Sequence, residues 1–153
     1  MADFYGAPFV PTSGKIIREI LEKAKLKKGA VFYELGSGDG RVLRMAVREF
    51  GVFGYGVDIH PMLIWYSKIV AKLQNIQNIS FKRESFFKTD LKKAEVIFLF
   101  LLPKTLEKLS KKLGKNKKAL IISHGFKISG LDNFLIDRIE RKSFPTYYYR
   151  LLK

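Results

Sequence analysis

Tyr33-Glu-Leu-Gly-Ser-Gly-Asp-Gly-Arg41 decides how the rest of the chain is read. An apolar run at 30–35 enters it as a buried strand, and Val42, Leu43, Ala46, Val47 and Phe50 leave it as one face of a helix. A glycine turn between a strand and a helix brings backbone N–H groups and a helix N-terminus to a ligand. Gly36 and Gly38 permit the sharp turn and a close approach to the backbone, while Gly40 lets the helix pack tightly. A dinucleotide loop of the form G-x-G-x-x-G needs its third glycine at position 41, where this chain has Arg41, so the loop is of another kind.

Beyond the loop, residues 52–59 read as a second strand and complete a βαβ unit. A helix at 61–73, with Pro61 in its first turn, leads to a third strand at 79–83. The stretch 85–93 leaves little room for a full helix. Residues 96–102 are apolar on both alternating faces, as a central parallel strand requires, and a helix at 103–113 returns the chain to a strand at 119–123. Residues 134–141 and 146–152 alternate as a terminal hairpin closed around Ser143-Phe-Pro145. Upstream, Ile16, Ile17, Ile20, Leu21 and Ala24 mark a helix that Thr12 or Ser13 caps. No repeat or linker interrupts this order. The expectation is one α/β domain with a mostly parallel sheet and an antiparallel C-terminal hairpin, divided into a segment and helix (1–28), a core (30–124) and the hairpin (133–153).

Composition sets the remaining limits. A chain of 153 residues with 47% hydrophobic content fits one domain with a real core. No cysteine is present, which excludes disulfides and thiolate metal sites and suits a reducing cytoplasm. Residues 1–15 lack the basic and apolar regions of a signal peptide, and the apolar run at 96–103 is too short for a transmembrane segment. With 29 Lys+Arg against 14 Asp+Glu, the net charge of +15 attracts nucleic acid or acidic membrane surfaces, although the lysines are scattered, without the aromatic interleaving of a single-strand binding face.

The spacing G-x-G-x-G with an acidic residue two places upstream, Glu34, resembles the first motif of class I S-adenosylmethionine-dependent methyltransferases. Asp58 closes the second strand, 22 residues after Gly36, where a carboxylate accepts from both ribose hydroxyls of an adenosine moiety. Glu34 is placed to face the cationic amino acid part of such a cofactor. A narrower resemblance runs through Phe9-Val-Pro-Thr12, the glycine loop, Pro61-Met-Leu-Ile-Trp-Tyr-Ser67 and Ser123-His-Gly-Phe126. It is to the broad-specificity protein lysine methyltransferases of archaea and the related ATP synthase c-subunit lysine methyltransferases.

That resemblance implies a Rossmann-like methyltransferase fold with S-adenosylmethionine as cofactor and protein lysine side chains as substrate. It implies that Thr12 holds the methionine carboxylate, that Gly36 and Gly38 line the methionyl side, that Asp58 takes the ribose, and that Ser85 and Phe86 lie against the adenine. Family members carry Asp or Asn where this chain has Ser85. Trp65 and Tyr66 read as helix packing, and His124 as a structural hydrogen-bonding residue. Candidates for a lysine channel are Tyr5, the segment Leu101-Leu-Pro103 and the aromatics Tyr147 to Tyr149. Phe100-Leu-Leu-Pro103 lacks the Asn-Pro-Pro-Tyr or Asp-Pro-Pro-Tyr signature that grips adenine for N6 methylation. An RNA methyltransferase and a non-catalytic binding module on the same fold remain alternatives, and neither a catalytic base nor an oligomeric state is assigned.

Overall fold

The computed structural model describes residues 11–152 together with the backbone of two short strands, β1 (Asp3–Phe4) and β2 (Ala7–Pro8), which pair antiparallel. Tyr5, Phe9 and Val10, named above from the sequence, lie outside the described residues. Helix α1 (Gly14–Ala24) begins at Ser13, whose Oγ accepts the Ile16 N–H; of the two capping candidates, Ser13 holds the position.

The βαβ unit forms as its periodicity requires: strand β3 (Val31–Leu35), helix α2 (Arg41–Phe50) and strand β4 (Phe53–Asp58). Helix α3 (Pro61–Leu73) has the bounds expected from the sequence, with the His60 ring nitrogen accepting from the Met62 and Leu63 N–H groups at its start. Strand β5 (Ile79–Arg83) follows, and the stretch with no room for a helix folds as a single 3₁₀ turn, Phe86–Lys88. Strand β6 (Val96–Leu99), helix α4 (Pro103–Gly114), strand β7 (Leu120–His124), strand β8 (Leu135–Ile139) and strand β9 (Thr146–Arg150) complete the chain.

Seven strands form one sheet in the order β5-β4-β3-β6-β7-β9-β8, parallel except for β9, which runs antiparallel to both of its neighbours. The hairpin thus enters with its second strand inward. Composition accounts for this: Thr146, Tyr147, Tyr148 and Tyr149 are buried, whereas the middle of β8 is exposed. Alternation splits the core in two. Phe32, Val96, Phe98, Leu120, Ile122 and Tyr148 face α1, α2 and α3, while Leu35, Ile97, Leu99, Ile121, Tyr147 and Tyr149 face α4 and the 3₁₀ turn.

Two expectations need correction. The strand read at 96–102 ends at Leu99, opposite Leu35, where the neighbouring strand β3 ends and gives way to the glycine loop; Leu102 (φ −68°, ψ 154°) then leads into α4. Phe100, Leu101 and Leu102 leave the sheet and become available as cavity wall. Trp65 and Tyr66 do not pack in the core; they are 59% and 47% exposed on the outer side of α3. The buried member of that trio is Ser67, whose Oγ donates to the Gly38 carbonyl at 3.2 Å.

Candidate active site

Strand order reverses between β3 and β6, and ligands of open α/β sheets bind in the crevice outside the strand C-termini at such a switch point. A cavity of about 220 Å³ lies there. Its walls take Thr12, Glu34, Gly36, Gly38, Asp58 and Phe86 from the sequence-predicted set. Ser85 is not among the lining residues; its Oγ accepts the Phe87 N–H at 3.3 Å and its carbonyl accepts from Thr89 Oγ1, so it shapes the turn that presents Phe86.

The loop is held open by backbone bonds. Gly36 and Ser37 N–H both donate to the Val57 carbonyl at 2.9 Å, and Gly40 N–H closes onto the Ser37 carbonyl. Gly36 has φ +76°, and a Cβ there meets Leu101 Cδ2 at 3.3 Å, so a side chain at this position is both strained and directed into the cavity wall. Asp58 fixes the far side: Oδ2 accepts the Gly38 N–H at 2.9 Å and Oδ1 accepts the His60 N–H at 3.0 Å. Each carboxylate oxygen keeps a second lone pair for a ligand hydroxyl.

Glu34 and Ser37 stand out electrostatically. Both are buried, at 5% and 4% exposure, and Glu34 Oε1 and Ser37 Oγ have no hydrogen-bond partner within the protein. Buried polar atoms are seldom left unpaired, and these two belong to residues on the wall of a cavity. Burial raises the Glu34 pKa well above the usual carboxylate range, with the Asp39 charge adding to the effect and the Leu43 N–H opposing it. A group with that shift is suited to meeting a cation.

Sequence reasoning missed a clasp beside this loop. Arg41 grips Asp39, with Nη2 2.6 Å from Oδ2 and Nε 3.1 Å from Oδ1, and its Nη1 reaches the Thr12 carbonyl at 3.3 Å. Arg44 Nη1 binds the Asp39 carbonyl. The N-terminal segment is thereby tied to the glycine loop, which is how Thr12 reaches the cavity. The signal was present, since Asp and Arg two residues apart share one turn, but the Thr12 connection is long-range.

The other end of the cavity is hydrocarbon. Phe98, Phe100, Leu101, Leu102, Phe126 and Phe144 line it. Phe100 packs edge-on to Phe144 with ring centroids 5.0 Å apart, and Phe126 meets Phe144 at 6.1 Å. Of the channel candidates, Leu101 and Leu102 reach the cavity. Tyr147, Tyr148 and Tyr149 do not line it: they are buried within the sheet, with Tyr148 Oη donating to the Ile20 carbonyl and Tyr149 Oη accepting the Ile128 N–H.

His124 supports this aromatic wall. Its ring lies 4.6 Å from Phe100 and 5.9 Å from Phe144, and Nδ1 shares a 2.9 Å hydrogen bond with Thr146 Oγ1. Burial, followed by the Arg141 charge, lowers its pKa from 6.5 to about 4, so the ring is neutral at pH 7. The unfolded chain takes up this proton near pH 6.5 and the folded chain only near 4. The contribution to stability is therefore intact above pH 6.5 and is lost as pH falls toward 4. At pH 4.5 the loss is about 2–3 kcal/mol. Urea unfolding at pH 7.5 and 4.5 is expected to show that His124→Gln loses less stability on acidification than wild type, by that amount.

Comparisons with known proteins agree with the geometry. Residues 34–134 match the family described as ANTKMT methyltransferase domain. A protein-lysine N-methyltransferase of Saccharolobus islandicus (strain REY15A) is 34% identical over 142 residues, covering 87% of this chain and 85% of that protein. The human ATP synthase c-subunit lysine N-methyltransferase is 28% identical over 107 residues, covering 69% of this chain and 45% of its own length. Among solved structures, an RNA methyltransferase from Salinibacter ruber in complex with S-adenosyl-L-homocysteine aligns with TM-score 0.88 and 28% identity, covering 94% of this chain and 95% of that one. The chain belongs to the ANTKMT methyltransferase domain family and is an S-adenosylmethionine-dependent methyltransferase.

Proposed function

We propose that this methyltransferase methylates the side-chain amine of lysine in protein substrates. The observation that carries the reading is the hydrocarbon end of the cavity, where Phe100, Leu101, Leu102, Phe126 and Phe144 offer no side-chain acid or amide to pair with the edge of a base. Such a wall suits a narrow aliphatic chain ending in an amine. The protein-lysine methyltransferase named in the Saccharolobus relative supports the same substrate.

For the cofactor end, the unpaired Glu34 Oε1 and Ser37 Oγ fit a ligand rich in donors. Thr12, Glu34, Gly36 and Gly38 would hold its amino acid part, Asp58 its ribose, and Phe86 the side of its adenine, with Ser85 shaping the turn that presents Phe86. S-adenosylmethionine supplies a methyl group on a positively charged sulfur. A free lysine has a pKa near 10.4 and must lose its proton before its nitrogen attacks. The apolar wall disfavours the ammonium form, excludes water and aligns the amine, so positioning and desolvation do the work and no side chain is assigned as base. The cysteine-free composition fits work in a reducing cytoplasm.

An RNA substrate is the second reading, favoured by the name of the Salinibacter protein and by the charge of +15. The test is transfer of radiolabelled methyl from S-adenosylmethionine into a cell extract, with the products split by protease and by ribonuclease. Label released by protease and recovered as methyl-lysine is expected. Label released only by ribonuclease overturns the substrate.

A further inference from the structure

Helix α3 carries a surface that the methyl-transfer site does not use. Its inward side, Ile64, Ser67 and Ala71, is buried. Its outer side presents Met62, Trp65, Tyr66, Ile69 and Leu73 to solvent, at 62%, 59%, 47%, 37% and 77% exposure. At 3.6 residues per turn these five side chains fall within about 100° of arc, a single apolar strip along the helix. Single exposed apolar residues are ordinary on soluble proteins, whereas a continuous strip marks a docking surface. The charge along this part of the chain has one sign: no acidic residue occurs from Ile59 to Arg83, while Lys68, Lys72, Lys82 and Arg83 do, Lys82 pairing with Glu84 just beyond, and the whole chain carries +15.

We infer that the outer face of α3 docks on an anionic lipid surface. A second copy of the chain would set Lys68 and Lys72 of one α3 against those of another. A folded protein partner generally covers about 800 Å² on each side, more than a strip one helix wide supplies. Nucleic acid is held by aromatic stacking and polar contacts, yet Met62, Ile69 and Leu73 are aliphatic. A lipid interface uses every part of the strip. Aliphatic tips enter the acyl boundary, Trp65 and Tyr66 sit at the headgroup level, and Lys68 and Lys72 beside them meet anionic headgroups. Contact is along the surface, since α3 has 13 residues and, among the described residues, no helix is long and apolar enough to cross a membrane.

Trp65 is the single tryptophan of the chain, so its emission reports directly on this face. The whole protein is mixed with vesicles of phosphatidylcholine alone or of phosphatidylcholine with phosphatidylglycerol, and vesicle flotation is measured in parallel. With the anionic vesicles, a blue shift of the emission and co-flotation are expected, both weakening as salt rises; the neutral vesicles leave the emission unmoved. The double variant Met62→Glu/Leu73→Glu is expected to bind anionic vesicles at least tenfold more weakly while binding S-adenosylmethionine like wild type, which shows that it is folded. Emission unmoved by anionic vesicles at low salt overturns the inference, as does a folded double variant that floats like wild type. A blue shift produced by an RNA oligomer or by raising the protein concentration, with vesicles inert, assigns the face to nucleic acid or to self-association instead.

Discussion

Glu34→Gln is expected to make the ligand-free protein more stable and cofactor binding weaker. The folded state raises the Glu34 pKa by burial, with the Asp39 charge adding to it. Above the pKa of the unfolded chain, this carboxylate therefore opposes folding as it ionises, and the opposition grows until pH passes the raised folded value. A neutral amide of the same shape removes that penalty at neutral pH. The gain reads as a rise in melting temperature of about 2–4 °C for each kcal/mol recovered.

The same change removes the negative charge that faces the cationic part of the cofactor. A hydrogen bond to a charged partner contributes about 1.5–3 kcal/mol, so the dissociation constant for S-adenosylmethionine is expected to rise roughly tenfold to a hundredfold. Melting curves with and without cofactor, together with calorimetry, measure both halves. An unchanged dissociation constant would remove Glu34 from the cofactor site.

Gly40→Ala is expected to cost stability. Gly40 has φ +82°, and an added Cβ meets two Phe81 ring carbons at 2.8 and 2.9 Å and Ser67 Oγ at 2.9 Å. Left-handed backbone costs a residue with a Cβ roughly 1–2 kcal/mol, and overpacking adds roughly 1–3 kcal/mol. Together these predict a loss of about 2–5 kcal/mol in chemical denaturation. Gly114→Ala is the control: nothing lies within 4 Å of a Cβ there, at the end of α4, so no loss is expected. Equal behaviour of the two variants would rule out the packing role of Gly40.

These positions also show what the sequence could disclose. The glycine loop and the helix with Pro61 in its first turn are local features, and the periodicity around them was enough to fix β3, α2 and α3 to within a residue or so. The third glycine at position 40 was legible as a packing glycine, but what it packs against was not, because Phe81 and Ser67 arrive from β5 and α3. Apolar alternation alone could not tell that Phe100, Leu101 and Leu102 leave the strand. The strand loses its neighbour where β3 ends at Leu35, a non-local event, and Pro103 marks only the start of α4.

Phe126 closes the segment Ser123-His-Gly-Phe126 and Phe144 sits in the turn Ser143-Phe-Pro145, and nothing local to either shows that it lines the cavity. Each reaches it only when β9 inserts beside β7 and Gly125 N–H bonds the Pro145 carbonyl. Tyr147 to Tyr149 were attractive as aromatics near the end of the chain, but a buried central strand claims them for the core. Trp65 and Tyr66 misled for the opposite reason: a helix with apolar residues on both sides reads as buried, and no local pattern reveals that the outer side of α3 is left uncovered.

A crystal structure of the protein with S-adenosylhomocysteine and a lysine-containing peptide tests the cofactor and substrate ends of the cavity together. The expected result is one occupied cavity, with the amino acid end of the product against Glu34 and Thr12, the ribose on Asp58, and the lysine side chain along Phe100, Phe126 and Phe144. Cofactor product bound away from the Gly36–Asp58 end, or a lysine side chain that enters by another route, is incompatible with this site.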